Sequence, residues 1–324
     1  MDRLRKAVNG VNLKRFRFWL QLGFFVLFVY GGYAAVKLGN SLPTFSCGFT
    51  GSNPGVCYLL PLQHQLSMNW ATLFGWAGVG VLTAFLTFWL WFIFLNKAWC
   101  GYACPLGTIQ DWITALRTRL GVRPGRYDQA TFEGLSWVKY VLLLLMIALP
   151  LGVGGGFLSH NLGTPFCDIC PARMILPLFN GDTSQWVVDF STREAMVMTA
   201  LGMAITGLFF AGSFIKKRFF CFFCPMSALH YLLSKPALLR LKKEGDKCTR
   251  CGDCYRACDM QIKAIADDVT SKNIMKDDCI LCFKCVAACP EEGALKVTFA
   301  AKTIFEATEE GFAKRMKEGN KDGA

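Results

Sequence analysis

Four stretches of this chain are almost wholly apolar: residues 18–36, 71–95, 137–157 and 195–215. About 20 apolar residues, each rising 1.5 Å, span a hydrocarbon core of roughly 30 Å, so each stretch predicts a membrane-crossing helix. For the first stretch a cleaved signal peptide is the weaker reading. The run is long for one, and no small-residue cleavage site follows it. The polar segments between the stretches are of two kinds. Residues 1–15 carry Arg3, Arg5, Lys6, Lys14 and Arg15; residues 97–126 carry Lys97, Arg117, Arg119, Arg123 and Arg126; Lys216, Lys217 and Arg218 follow the last stretch. Residues 38–70 hold no Asp, Glu, Lys or Arg, and residues 159–193 hold few. Basic segments stay on the cytoplasmic side. Both chain ends and the 97–126 loop are therefore expected in the cytoplasm, and 38–70 and 159–193 on the periplasmic face. Residues 106–126 read as a short amphipathic helix ending in a basic loop, and 235–247 as a basic linker.

Composition agrees with that class. The chain is 53% hydrophobic, with 28 Phe and 9 Trp among 324 residues, more apolar than soluble domains. Its net charge of +12 is gathered beside the apolar runs, which fits membrane topology and not nucleic-acid binding. Neither a dinucleotide fingerprint nor a P-loop occurs. Sixteen Cys are too many for an ordinary cytosolic fold and turn attention to metal.

Eight of them lie near the C-terminus. Cys248, Cys251, Cys254 and Cys258 form C-x2-C-x2-C-x3-C, and Cys279, Cys282, Cys285 and Cys289 repeat it 31 residues later. Three closely spaced thiolates hold three corners of a cubane, and the other repeat supplies the fourth. Cys248, Cys251, Cys254 and Cys289 are thus expected around one [4Fe–4S] cluster, and Cys279, Cys282, Cys285 and Cys258 around a second. Zinc more often takes separated pairs. Asp259 stands where the first repeat would usually carry Pro.

The other eight fall into alternating pairs: Cys47/Cys57 and Cys167/Cys170 on the outer side, Cys100/Cys104 and Cys221/Cys224 on the inner side. The order of spans and pairs is duplicated, which predicts two pseudo-repeated helical hairpins. Pro105 and Pro225 follow inner cysteines and suit first helical positions. Four inner thiols match the ligand count of a third [4Fe–4S] cluster, against reduced structural thiols or a redox dithiol. The outer four allow a fourth cluster or, outside the cytoplasm, disulfides. Only His64, His160 and His230 are present, none in mid-span, so this chain is not expected to hold haem. His64 and His160 lie near the outer membrane edge in matching halves. They are the candidate catalytic residues, accepting protons as a quinol gives up electrons; the alternative for each is an ordinary loop histidine. His230 is expected to be structural or to support a ligand.

Four spans, the inner Cys-Pro motifs and the double-cluster module resemble the NapH-type membrane ferredoxins; the C-terminal half of NosR and the RdxA/CcoG proteins look similar. The likeness is strongest at 97–112 and 219–299. The family pattern has two C-x3-C-P motifs; Cys100/Cys104 matches it, whereas Cys221/Cys224 is C-x2-C-P. The resemblance implies a quinol dehydrogenase subunit that feeds periplasmic reductases through partner ferredoxins or multihaem cytochromes.

The expected fold is an all-α membrane domain of four transmembrane helices over 16–245, after a basic cytoplasmic N-terminus over 1–15. A small α+β bacterial-type two-cluster ferredoxin domain over 246–299 and a charged tail over 300–324 follow. The expected function is a membrane-bound iron–sulfur subunit of a bacterial inner membrane, exchanging electrons between the quinone pool and redox partner proteins. Membrane lipid, quinone and redox subunits are the expected partners, and nucleic acid is not. The other reading is an accessory factor that reduces metal or thiols while a respiratory enzyme matures, as RdxA/CcoG-like proteins suggest.

Overall fold

A computed structural model describes residues 12–123, 125–276 and 278–313. Arg3, Arg5 and Lys6 of the basic N-terminus and residues 314–324 of the charged tail lie outside the described residues. The helices run in chain order: α1 Leu13–Tyr30, α2 Leu59–Leu66, α3 Trp70–Leu73, α4 Ala77–Leu95, α5 Pro105–Arg119, α6 Gln129–Ser136, α7 Val138–Gly154, α8 Pro165–Ile169, α9 Pro171–Ile175, α10 Arg193–Ile215, α11 Pro225–Leu232, α12 Asp253–Arg256, α13 Ala264–Asp267 and α14 Lys284–Ala287. The strands are β1 Gly39–Leu42, β2 Gly55–Cys57, β3 Leu239–Lys243, β4 Leu295–Phe299 and β5 Lys302–Glu306.

Among the described residues, three helices are long and apolar enough to cross a membrane: α4, the run 129–154 formed by α6 and α7, and α10. Their outward faces carry large apolar side chains such as Leu82, Leu90, Leu144, Val197 and Leu208, the expected surface for a helix solvated by lipid. The first predicted span is shorter than its apolar run. The helix α1 stops at Tyr30 and passes into a 3-10 turn over Gly31–Ala34. Its first turns carry Lys14, Arg15 and Arg17, and Asn12 caps them by accepting from the N–H groups of Lys14 and Arg15. Arg17, Gln21, Phe25, Phe28 and Val29 share its buried face at helical spacing.

The long helices enclose the short cysteine-bearing segments between them. Residues 39–66 and 165–180, expected as outer loops, fold back into the bundle: Phe45, Cys57, Leu59, Phe166, Cys170 and Ile175 are all buried. β1 and β2 pair in parallel, with Leu42 opposite Cys57, and draw the Cys47 loop against the start of α2. α8 meets α10 at Gly202, where an added Cβ would sit 2.6 Å from the Asp168 carbonyl oxygen, so a side chain there would part the two.

The C-terminal module contains more of the chain than expected. Residues 235–247 are not a linker: Leu239, Leu241 and Lys243 alternate inward along β3, the period of a half-buried strand. Lys243 is buried because its ammonium donates to the carbonyls of Ile265 and Ala266 at the end of α13 (2.8 and 3.0 Å). Beyond residue 299, β5 completes an antiparallel sheet of order β3-β4-β5, so the charged tail begins after that strand. The sheet and the two cluster loops share one apolar core with Ala98, Tyr102 and Phe222 of the membrane part. Lys139 of α7 and Asp278 form a buried ion pair (2.6 Å) across the same junction.

Candidate metal centres

The sixteen cysteines are all free, and they gather into four cavities with four cysteines each. Cys248, Cys251, Cys254 and Cys289 line one, and Cys258, Cys279, Cys282 and Cys285 line the next. This is the exchange of fourth corners expected from the two repeats. Cys100, Cys104, Cys221 and Cys224 line the third. Cys47, Cys57, Cys167 and Cys170 line the fourth. The outer pairs are thus brought together across the two halves of the chain and are not bonded within each pair.

The donor set suits a polynuclear group better than a single ion. Among the described residues, no three or more His, Cys, Asp or Glu side chains stand close enough to share one metal ion. The cysteines instead surround a space, as the corners of a [4Fe–4S] cubane require. Burial pushes the thiols of Cys258 and Cys279 up to about 12 and that of Cys289 to about 11. It raises the outer Cys47 to about 11 and Cys167 to about 12. Reactive thiols have depressed values and exposure; these have neither.

The inner cage is built by turns that end on Cys-Pro. Cys104 and Cys224 are the N-cap residues of α5 and α11, with Pro105 and Pro225 at the first helical positions. The three-residue spacing of Cys100 and Cys104 is taken up in a π turn over Trp99–Ala103, closed by the Cys104 N–H on the Trp99 carbonyl (2.9 Å). The two-residue spacing of Cys221 and Cys224 is taken up in a 3-10 turn over Phe219–Phe222. One extra residue is thereby absorbed by a wider turn, and both motifs deliver their cysteines to the same cavity. His230 is fully buried with Nδ1 3.3 Å from Cys100 Sγ. Burial, helped by the Lys97 ammonium, holds its pKa well below the ordinary imidazole range. It is a neutral ring supporting a cysteine.

A charged knot holds the inner cage in place. Asp111 accepts from Arg218 Nε and Nη2 (2.9 and 2.6 Å), from Arg17 Nη2 (2.7 Å) and from Gln21 Nε2 (2.8 Å). Arg218, Arg17 and Gln21 also donate to the carbonyls of Cys100 and Gly101. Burial alone would raise the Asp111 pKa, but the two guanidiniums outweigh it and hold it below the carboxylate range. Asp259 has the same character. It is buried against Lys284, Lys217 (3.4 Å) and Arg17 (3.6 Å), and these cations overcome its burial and depress its pKa. A residue that departs from the repeat pattern thus ties the module to α1 and to the segment after α10.

Neighbouring cages share side chains. Ile280 lines both the second module cage and the inner cage, and Phe45 lines both the inner and the outer cage. Neither shared residue stood out in the sequence, nor did Asp111, and Arg218 was read only as part of the basic run after the last apolar stretch. His64 and His160 are exposed and line none of these four cavities. Their backbones lie close: Ser67 Oγ donates to the His64 carbonyl (2.8 Å), and a Cβ on Gly163 would be 3.1 Å from the His160 carbonyl and 3.4 Å from Ser67.

A 4Fe-4S dicluster domain matches residues 240–290, taking in all eight module cysteines. A 4Fe-4S binding domain matches residues 69–123 and 198–245, taking in the four inner ones. An uncharacterized protein of Methanocaldococcus jannaschii is 27% identical over 213 residues, 65% of this chain and 75% of that protein. The protein NirI of Paracoccus denitrificans is 27% identical over 199 residues, 61% of this chain and 25% of NirI. The ferredoxin-type protein NapH of Escherichia coli is 22% identical over 277 residues, 83% of this chain and 80% of NapH. The chain is similar to the NapH-type membrane ferredoxins. It is accordingly a membrane protein with iron–sulfur sites and an electron-transfer role. No solved structure matches it.

Proposed function

We propose that the chain exchanges electrons between the quinone pool and redox partner proteins, with [4Fe–4S] clusters in the two module cages and in the inner cage. The observation that carries this reading is the sharing of Ile280 between the second module cage and the inner cage. A cluster, when bound, stores and releases one electron at a time. The chain's own residues ligate it, bury it and set its distance from the next. The module cysteines divide as 248, 251, 254 and 289 against 258, 279, 282 and 285. The inner set is Cys100, Cys104, Cys221 and Cys224.

The basic residues from 97 to 126 and after 215 lie at the module's end of the bundle. By the positive-inside rule we place that end in the cytoplasm and the chain in a cytoplasmic membrane. Quinone is assigned to the opposite end, where His64 and His160 are exposed and available to accept protons. Ferredoxins or multihaem cytochromes are the partner class. The accessory-factor reading has less support, because it needs exposed reactive thiols, whereas Cys57 and Cys170 are buried and Cys47 and Cys167 half-buried.

The test is anaerobic reduction of the purified chain by a quinol in nanodiscs, followed by loss of visible iron–sulfur absorption. His64→Ala/His160→Ala is expected to slow the reduction and leave dithionite reduction unchanged. A wild-type chain that dithionite bleaches and no quinol does would overturn the quinone assignment.

A further inference from the structure

We propose that Cys47, Cys57, Cys167 and Cys170 hold a [4Fe–4S] cluster of their own, in a second copy of the inner cage. Neither family match reaches these four residues. The inference deepens the proposed function and rests on its reading of the inner cage as a cluster site.

The two cages repeat each other beyond their sulfurs. Six residues after Cys57 stands Gln63, and six after Cys104 stands Gln110. Each glutamine sits on the helix that follows its cysteine, and each holds a Phe-Cys pair from the other half of the chain. The Gln63 carbonyl oxygen accepts from the Phe166 N–H (2.9 Å), and its amide donates towards Cys167 Sγ (3.2 Å). The Gln110 oxygen accepts from the Phe220 N–H (3.0 Å), and its amide points to Cys221 Sγ (3.7 Å). Each amide also reaches back to the carbonyl four residues earlier, Leu59 (2.9 Å) or Leu106 (3.3 Å). Cys170-Pro171 then opens α9 as Cys224-Pro225 opens α11. An arginine–aspartate pair stands beside each cage, Arg173 with Asp168 and Arg218 with Asp111, and such outer partners orient the groups around a metal site.

The Gln63 amide also gives Cys167 Sγ a donor, and hydrogen bonds to the sulfurs are a main determinant of cluster potential. Among the described residues, Phe45 is the side chain common to the outer and inner cavities. The step assigned to this site is a one-electron transfer with the inner cluster, one being oxidised as the other is reduced, with no bond made or broken.

The test uses the full chain, matured in cells and purified anaerobically in nanodiscs. Iron and acid-labile sulfide are counted in wild type, Cys167→Ser/Cys170→Ser and Cys221→Ser/Cys224→Ser. At four irons per cubane, about 16 irons are expected in wild type and about 12 in each double variant. About 12 irons in wild type, unchanged by Cys167→Ser/Cys170→Ser and reduced by Cys221→Ser/Cys224→Ser, overturns the outer site alone on the same arithmetic. About 8 irons in wild type overturns the inner site as well. Zinc lost with the outer cysteines would also overturn the proposal. Should the double variants fail to assemble, the spin count of the reduced wild-type chain decides. About four spins per chain support the outer cluster, and about three sink it.

Discussion

The Ile280 carbonyl oxygen lies 2.5 Å from the point where a Cβ on Gly101 would sit. Gly101 is between the inner Cys100 and Tyr102, whose hydroxyl donates to the Cys282 carbonyl (3.1 Å). Backbone from the inner cage therefore touches backbone from a module cage, with no side chain between them.

Gly101→Ala is expected to push the two apart. Overpacking of this kind costs about 1–3 kcal/mol, and here the obstacle is backbone, which cannot rotate away. Both cages should keep their iron, while electron transfer between them slows in a rapid-mixing experiment. An unchanged rate with full iron content would count against direct transfer at this contact.

Asp259 should behave as a tether. Its depressed pKa means that its stabilising contribution is complete above the unfolded value of about 4 and is lost only as pH falls below that. Wild-type docking, read by protease resistance of the 235–247 segment, is therefore expected to be flat between about pH 5 and 8 on that basis. Asp259→Asn should weaken docking across this range by about 1–3 kcal/mol, the loss of charge-assisted bonds, because Lys217 and Lys284 reach solvent and Arg17 keeps Asp111. A variant as resistant as wild type would contradict the assignment.

Lys139 and Asp278 give a second junction with a different signature. Lys139→Met leaves a buried carboxylate and is expected to cost about 3–5 kcal/mol, whereas Lys139→Met/Asp278→Leu should recover much of it. Denaturant titration of module release, followed by protease resistance of the 235–247 segment, compares the two. Equal losses in both would mean that the charges are not the coupled pair.

The paired glutamines predict selective shifts in potential. A donor to a thiolate stabilises the reduced, more negative cluster. Removing one worth about 1 kcal/mol lowers a one-electron potential by about 40 mV. Gln63→Leu should lower the outer cluster alone and Gln110→Leu the inner alone, as read by EPR-monitored redox titration. A shift of the wrong cluster would show that the cages are not independent copies.

Much of this was legible along the chain. The doubled cysteine repeat dictates its own exchange of corners, because three sulfurs two or three residues apart cannot close a cube. Apolar runs long enough to span lipid announce α4, α7 and α10, since lipid leaves a helix no polar face to hide. The inner Cys-Pro motifs announce helix starts at α5 and α11 through the fixed backbone angle of proline. The spacing of Gln63 and Gln110 from their cysteines was visible too, but spacing alone does not reveal which distant Phe-Cys pair each amide meets.

Tertiary structure decided the rest, because it depends on contacts between residues far apart in sequence. Residues 38–70 look like an outer loop for want of charge, yet that same lack of charge lets them fold inside the bundle and bring Cys47 and Cys57 to Cys167 and Cys170. Leu239–Lys243 reads as a basic linker until β4 supplies its hydrogen-bond partners. Asp259 looks like a harmless departure from a repeat until Arg17, Lys217 and Lys284 converge on it. Local pattern pointed to the cysteines as candidate ligands and to α4, α7 and α10 as spans; only the packing of the two halves determined which cage stands next to which.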